Sequence, residues 1–308
     1  MTTNRKIKIV YESLASLNSD WIIDLINQYF ELVPYDPAAT YDKSSTVFYQ
    51  NVIGSKTKTA AYNQFVDQGY KVLFDNLWEL KIEVDPGAYS MHNVNWFWYN
   101  ESLWYRHLGY NSYVPNRTYE KTAFMPMRLE KPHRSALKKY LQPCLDDFVW
   151  SYVVEGTQLP NGGDAVNDWN TQRLFRPEWY DKTCFSIVAE TSVSPVTQPI
   201  FVTEKTFKPM AFQHPFMILS NRGTLAYLRS QGFETFENLF DESYDAEINY
   251  IDSIKTIVKN VENFEKQPHS QLTLDKIQHN YNHFFDKALV TQRIVKEIIE
   301  PILEYAEA

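Results

Sequence analysis

KIKIVYES at residues 6–13, SDWIIDLINQYF at 19–30, STVFYQNV at 45–52, TKTAAYNQFVDQG at 57–69 and YKVLFDNLW at 70–78 follow one another along the first quarter of the chain. The first, third and fifth are short apolar runs with Ile, Val, Phe and Tyr, which read as strands buried on both faces. The second and fourth carry apolar residues at i, i+3 and i+4, the period of a helix packed on one side. Ser19 and Asp20 stand where an N-cap belongs, and Gly69 stands where a helix closes. Strand and helix alternating at this length means parallel βαβ units, hence a Rossmann-like lobe. The lobe lacks GxGxxG, so nothing marks it as a dinucleotide site.

The alternation resumes further on. TAFMPMRLE (122–130) reads as a strand and KPHRSALKKYLQ (131–142) as a helix with Pro132 in its first turn. YVVEG (152–156), CFSIVAET (184–191) and PFMILS (215–220) read as strands, and FVTEKTFKPMAFQ (201–213) as a loop running into a helix. GTLAYLRSQG (223–232), SIKTIVKNVENFEK (253–266) and KALVTQRIVKEIIEPILEYA (287–306) read as helices, the last with its apolar stripe interrupted by Pro301. Residues 156–182 are turn-rich and read as a surface insertion. The expected fold class is α/β, with two Rossmann-like lobes facing a cleft. The expected division is an N-terminal lobe over 1–125, a C-terminal lobe over 126–285 and a helix over 286–308 packing on the body.

The aromatic run AYSMHNVNWFWYNESLWYRHLGYNSY (88–113) shows no clear period. It is expected as a strand and a long loop facing the cleft, with Trp96, Trp98 and Tyr99 offering a stacking platform to an acceptor. Alternate residues of a strand there would enter the core instead.

Composition narrows the class. A chain of 308 residues with 44% apolar and 22% charged residues is globular and long enough for two domains. The net charge of −8 lies wholly in residues 151–308, because residues 1–150 balance. Within that balanced half, Arg117, Lys121, Arg128, Lys131, Arg134, Lys138 and Lys139 form a basic cluster. A local cluster on an acidic protein suits a small phosphate-bearing ligand better than a broad nucleic-acid face. Cys144 and Cys184 are flanked by apolar residues and read as free thiols. No secretory segment or membrane span is recognisable, so a cytoplasmic protein is expected. His279 and His283 stand four apart without a third ligand, and no metal site is expected.

The chemistry concentrates in SIVAETS (186–192) and FVTEKTFKPMA (201–211). Thr203 is placed to cap a helix whose first turn holds Glu204 and Lys205. Unpaired N–H groups and partial positive charge make such a helix start a seat for a diphosphate. Standing alone, Thr-Glu-Lys is more simply a solvated first turn. With its surroundings it resembles the α-1,3-fucosyltransferase family, whose members carry a strand ending Phe-Glu-Asn and then Tyr-x-Thr-Glu-Lys. Here the strand ends Ala189-Glu190-Thr191 and the second motif is Phe201-Val202-Thr203-Glu204-Lys205. KPHRSALKKYL resembles the family's segment in which an arginine at a helix start binds the donor's diphosphate. DESYD (241–245) resembles uncharacterised viral and bacterial glycosyltransferase-like proteins, with no role assigned beyond capping a loop.

The resemblance covers roughly 125–245. It implies a GT-B-type glycosyltransferase that uses a nucleoside-diphosphate sugar and inverts; the sequence has no Asp-x-Asp pair, so a metal-independent reaction with no cofactor is the simpler expectation. It puts Arg134 and Lys205 on the diphosphate, and Glu190 and Glu204 on ribose or sugar hydroxyls, with Thr203 and Phe201 in the same site. Phe201 and Thr191 replace the family's tyrosine and asparagine, so neither guanine nor fucose specificity carries over. The general base is expected from the first lobe, with Asp75 first, Glu79 second and Glu101 a distant third. The acceptor is expected to be a glycan or another small hydroxyl compound. Two other readings stay open: a DNA glycosyltransferase acting on a flipped hydroxymethylated pyrimidine, and a non-catalytic nucleotide-sugar-binding protein.

Overall fold

The computed structural model describes residues 6–12, 20–51, 64–75, 88–91, 95–152, 176–193 and 200–308. The chain divides into two compact units. The first comprises Met1–Trp104 with Asp286–Ala308, and the second Tyr105–Phe285. The division expected near residue 125 would cut through a strand of the second sheet. Both units are α/β with parallel strands, as the alternation of segments requires.

In the first unit β1 (Ile7–Tyr11), β2 (Phe30–Pro34), β3 (Thr46–Asn51), β4 (Lys71–Asp75) and β5 (Ala88–Met91) lie in the order β2-β1-β3-β4-β5. The order reverses between β1 and β3, the topological switch point of a doubly wound sheet. Val10, Phe48, Val72 and Phe74 form its core, covered by Tyr35, Tyr41, Phe65 and Tyr70. Phe48 stacks on Phe65 at 4.1 Å between ring centroids and meets Tyr41 and Tyr70 edge-on. Much of the aromatic excess is therefore core filling. Gly69 ends the preceding helical turn at φ +82°, a left-handed position that costs glycine nothing.

The run at 88–113 departs from expectation. After β5 it forms a helix, Trp96–His107, and then a single 3-10 turn. Trp96, Trp98 and Tyr99 are buried, so they cannot offer rings to an acceptor. Large apolar side chains on all sides of one helix leave no stripe to detect, and most of this one is buried. The C-terminal segment packs against it. The Tyr99 hydroxyl donates to Glu297 and accepts from Arg293 Nε at 3.1 Å. Arg293 pairs with Glu297 at 2.8 Å and lies over the Trp98 ring at 4.9 Å. Burial and the Glu297 charge hold the Tyr99 phenol far above its ordinary pKa, so it stays a donor. Pro301 has no N–H to offer the carbonyl of Glu297, and the helix widens to a π turn over Val295–Ile299 just before it.

The second sheet has the order β7-β6-β8-β9, from β6 (Lys121–Met127), β7 (Phe148–Tyr152), β8 (Thr183–Ala189) and β9 (Phe216–Leu219). β7 lies four residues earlier than the expected strand at 152–156, because FVWSY supplies the residues that pair with β6. Every residue of β8 and β9 is buried. This order reverses between β6 and β8, so the connections leaving those strands part at their carboxyl ends. The helix Pro132–Leu141 follows β6 and packs on Tyr250–Glu262, whereas Glu204–Ala211 follows β8 and packs on Gln271–Phe285.

DESYD acquires a structural role. The Asp245 carboxylate accepts from the N–H groups of Leu225 and Ala226 at the start of the helix Thr224–Ser230. Glu242 pairs with Arg229 near the end of that helix and accepts from Phe236 N–H at 2.6 Å. Both ends of a short helix are thus held by one acidic turn.

The buried Tyr99 hydroxyl should carry measurable stability. Tyr99→Phe is expected to lose about 1.5–3 kcal/mol in denaturant titrations followed by tryptophan fluorescence, the value of a hydrogen bond to a charged partner. A loss below about 0.5 kcal/mol would mean that the Arg293–Glu297 pair holds the helix without it.

Candidate functional site

The chain's chemistry-bearing residues meet where β8 ends at the switch point of the second sheet. Glu190, one residue beyond β8, has no exposed surface. Its Oε1 accepts from Thr203 N–H at 3.0 Å and from Thr206 Oγ1 at 2.7 Å. Its Oε2 accepts from Thr203 Oγ1 at 2.6 Å and from Thr191 N–H at 3.1 Å. Its backbone N–H donates to Leu219 O at 3.0 Å, continuing the β8–β9 ladder. A carboxylate has about four lone-pair sites, and all are taken. The expectation that Glu190 holds ligand hydroxyls therefore gives way to a different role. Glu190 ties the start of the helix Glu204–Ala211 to the end of β8.

The backbone carbonyl of Glu190 is held from the other side. His133 Nε2 lies 2.9 Å from it, so that nitrogen carries the proton. Arg134 Nη2 donates to the carbonyls of Ala189 and Glu190 at 3.2 and 3.1 Å, and Nη1 donates to Leu129 O at 3.1 Å. Arg134 is only 3% exposed, yet its Nε–H has no partner. Burial lowers its pKa while Glu190 and Glu204 oppose the shift, and a guanidinium stays charged. The ring of Tyr250 stands edge-on to His133 at 6.5 Å between centroids, which brings the start of the helix Tyr250–Glu262 beside that of Pro132–Leu141.

Thr203 is the N-cap, as expected. Because its hydroxyl proton goes to Glu190, its lone pairs face the helix. They accept from Lys205 N–H at 3.4 Å and Lys205 Nζ at 3.1 Å. The Lys205 ammonium also donates to Thr191 Oγ1 at 3.2 Å and to Glu204 Oε1 at 2.7 Å. Burial alone would raise the Glu204 pKa, but Lys205 and Lys208 bring it down to about 2. Phe201, Thr203 and Glu204 are buried, and the Lys205 side chain keeps 27% of its surface exposed. Among the six residues assigned to the donor from sequence, Lys205 is the one whose charged side chain is not buried.

Several assignments change. The basic cluster is not one surface: Arg117, half-buried, pairs with Asp181 at 3.2 Å and donates to the carbonyls of Phe212 and Gln213, closing the far end of Glu204–Ala211. Lys138 lies over Trp150 and Tyr152, 5.7 Å from each ring. Glu101 is buried in the helix Trp96–His107. Asp75 ends β4, opposite Asn51 of β3, and Glu79 lies outside the described residues. Sequence reasoning missed Thr206, Lys208 and Tyr250, and noted Thr191 only as a departure from the family's motif. Thr206 was legible in principle, three residues from Thr203 and so near the same helix face. Thr191, Lys208 and Tyr250 carry no local signal. Among the described residues, no three His, Cys, Asp or Glu side chains gather to hold a metal ion, and no helix is long and apolar enough to cross a membrane. Cys144 and Cys184 are free thiols.

No protein-family model matches the chain, and no curated protein does. Solved structures with some likeness include crystal structures of α1,3-fucosyltransferase. One, described without ligand, is 11% identical at a TM-score of 0.40, covering 94% of this chain and 93% of that one. Another, with GDP-fucose, is 10% identical at a TM-score of 0.40 and covers 93% of each chain. A third, with GDP, is 10% identical at 0.41 and covers 94% of each. Overlap that loose transfers no residue's role.

Burial pushes the His133 imidazole down to about 4, with Arg134 and Lys131 adding to the shift and the Glu190 carbonyl opposing it. A folded pKa below the unfolded one means the unfolded chain takes up the proton first. Stability from neutral His133 is therefore complete above about pH 6.5 and is lost as pH falls from there towards about 4. His269 behaves alike, also at about 4, so the test is a difference. His133→Gln keeps a donor for the Glu190 carbonyl, and its stability should fall less steeply than wild type between those limits. Parallel slopes in denaturant titrations across the range would show that His133 is not buried in the neutral form.

Proposed function

We propose that this chain is a glycosyltransferase that moves a sugar from a nucleoside-diphosphate sugar to a hydroxyl acceptor. Its diphosphate would lie at the start of the helix Glu204–Ala211. One observation carries this reading: Lys205, the buried Arg134 with an unpartnered Nε–H, and the starts of two helices are all tied to Glu190, at the switch point where parallel sheets take ligands. A third helix start, at Tyr250, adjoins His133. Helix starts and fixed cations are the groups an anion needs. The order Ala189-Glu190-Thr191, then Phe201-Val202-Thr203-Glu204-Lys205, supports the same reading through its resemblance to the α-1,3-fucosyltransferase family.

In glycosyl transfer the bond from the anomeric carbon to the diphosphate oxygen breaks while the acceptor oxygen bonds to that carbon and loses its proton. Negative charge grows on the leaving diphosphate as the sugar becomes cationic. Groups already oriented towards that charge favour the transition state over the bound donor. Lys205 and the positive end of the helix dipole would supply this without a metal ion. Glu204, held ionised, would keep Lys205 aligned until phosphate oxygens take over part of its hydrogen bonding. Asp75, at the carboxyl end of β4, is the proposed base, and inversion would follow from direct attack by the acceptor. A small hydroxyl acceptor is favoured over DNA, because the rings that would have held a flipped base are buried.

Lys205→Ala is the discriminating variant, since Arg134→Ala would also remove one hydrogen bond from each of three backbone carbonyls. Calorimetry with GDP, UDP, CDP, ADP and dTDP should find one that binds, and Lys205→Ala should weaken it by about tenfold or more, the scale of a charge-assisted contact. Binding of none of the five by the wild-type protein would remove the donor assignment. With the matching sugar nucleotide, Asp75→Asn should lower turnover and leave donor affinity unchanged, and full turnover would remove Asp75 as base.

A further inference from the structure

Thr203 does more than cap its helix. An N-cap threonine normally lends its oxygen to the helix's own N–H groups. Here its proton is drawn to Glu190 Oε2 at 2.6 Å, which leaves its lone pairs for Lys205 N–H and the Lys205 ammonium at 3.1 Å. Thr206 donates its hydroxyl to the other Glu190 oxygen at 2.7 Å, and the N–H groups of Thr191 and Thr203 complete the set. The donor direction of every bond is thus set by one group that can only accept. Thr191 closes a second path: its N–H donates to Glu190 and its hydroxyl oxygen accepts from Lys205 at 3.2 Å.

From this geometry we infer that Glu190 is a positioning residue. It never touches the ligand, and it aims the Lys205 ammonium through Thr203 and Thr191. As a statement about an anion site, the inference rests on the function proposed above; as a statement about Lys205, it stands apart from it. Glutamine is the informative replacement. Its shape matches, but it has one oxygen for four converging donors. Placed towards Thr203 Oγ1, its amide N–H groups would reverse that hydroxyl and turn its proton on Lys205. Placed towards Thr206, they would face the Thr203 N–H. In the first orientation the ammonium loses Thr203 as an acceptor, and in the second two donors are forced together at the helix start that carries Lys205.

The test uses the full chain, with two readouts. Nitrogen-15 lysine labelling follows the ammonium of Lys205, assigned by its disappearance in Lys205→Arg, and calorimetry follows inorganic pyrophosphate. The wild-type protein and Thr203→Ser should show a slowly exchanging Lys205 ammonium. Glu190→Gln and Thr203→Val should lose that signal and bind pyrophosphate about tenfold more weakly, the effect of disordering one charged hydrogen-bond donor. Should Glu190→Gln not fold, Thr203→Val decides, since it keeps the threonine's shape and removes only the hydroxyl. An ammonium signal unchanged in Thr203→Val overturns the inference, as does unchanged pyrophosphate affinity where the wild type binds it. A wild-type protein that binds no pyrophosphate but loses the signal in Thr203→Val supports the inference and sinks the donor assignment alone.

Discussion

A carboxylate with no exposed surface is costly to bury, and Glu190 is tolerated because four donors converge on it. Those donors come from Thr191, just past β8, and from Thr203 and Thr206 at the start of the next helix. The carbonyl of the same residue takes donors from His133 and Arg134 on a helix that leaves a different strand. A parallel sheet whose connections part at the switch point opens a gap there. Glu190 spans it, and moving any of the three segments would leave a buried polar group unpaired.

The same economy governs the rest of the second unit. The helix Glu204–Ala211 has Glu190 at its start and Arg117 at its end, so the unpaired N–H and carbonyl groups of both termini meet charges of the favourable sign. Asp245 and Glu242 do this for the helix Thr224–Ser230. Arg117, Asp245 and Glu242, which look like surface charges in sequence, fix short helices. Lys205 differs: its partners Thr191, Thr203 and Glu204 orient it, and it still reaches solvent. An ammonium fixed in advance beside a helix start need not reorganise when negative charge develops nearby, which is the physical basis for reading the site as one that receives an anion.

Sequence by itself determined the fold class and singled out the segments that meet at the candidate site. Strand-length apolar runs alternating with helical periods leave parallel βαβ units as the arrangement that buries both faces of each strand. Thr203 was identifiable as an N-cap because hydroxyl type and helix onset are local properties. Tertiary structure alone decided which polar groups serve the fold and which face outwards. Glu190 and Arg134 have the chemistry of ligand contacts, but hydrogen bonds to residues 13 and 55 positions away use most of their capacity. Trp96, Trp98 and Tyr99 have the chemistry of a stacking surface, but their helix spreads large apolar side chains around its axis, and these three are buried. The reason is general: periodicity and capping depend on neighbours within a turn or two. The satisfaction of a buried charge depends on segments that only the folded sheet brings together.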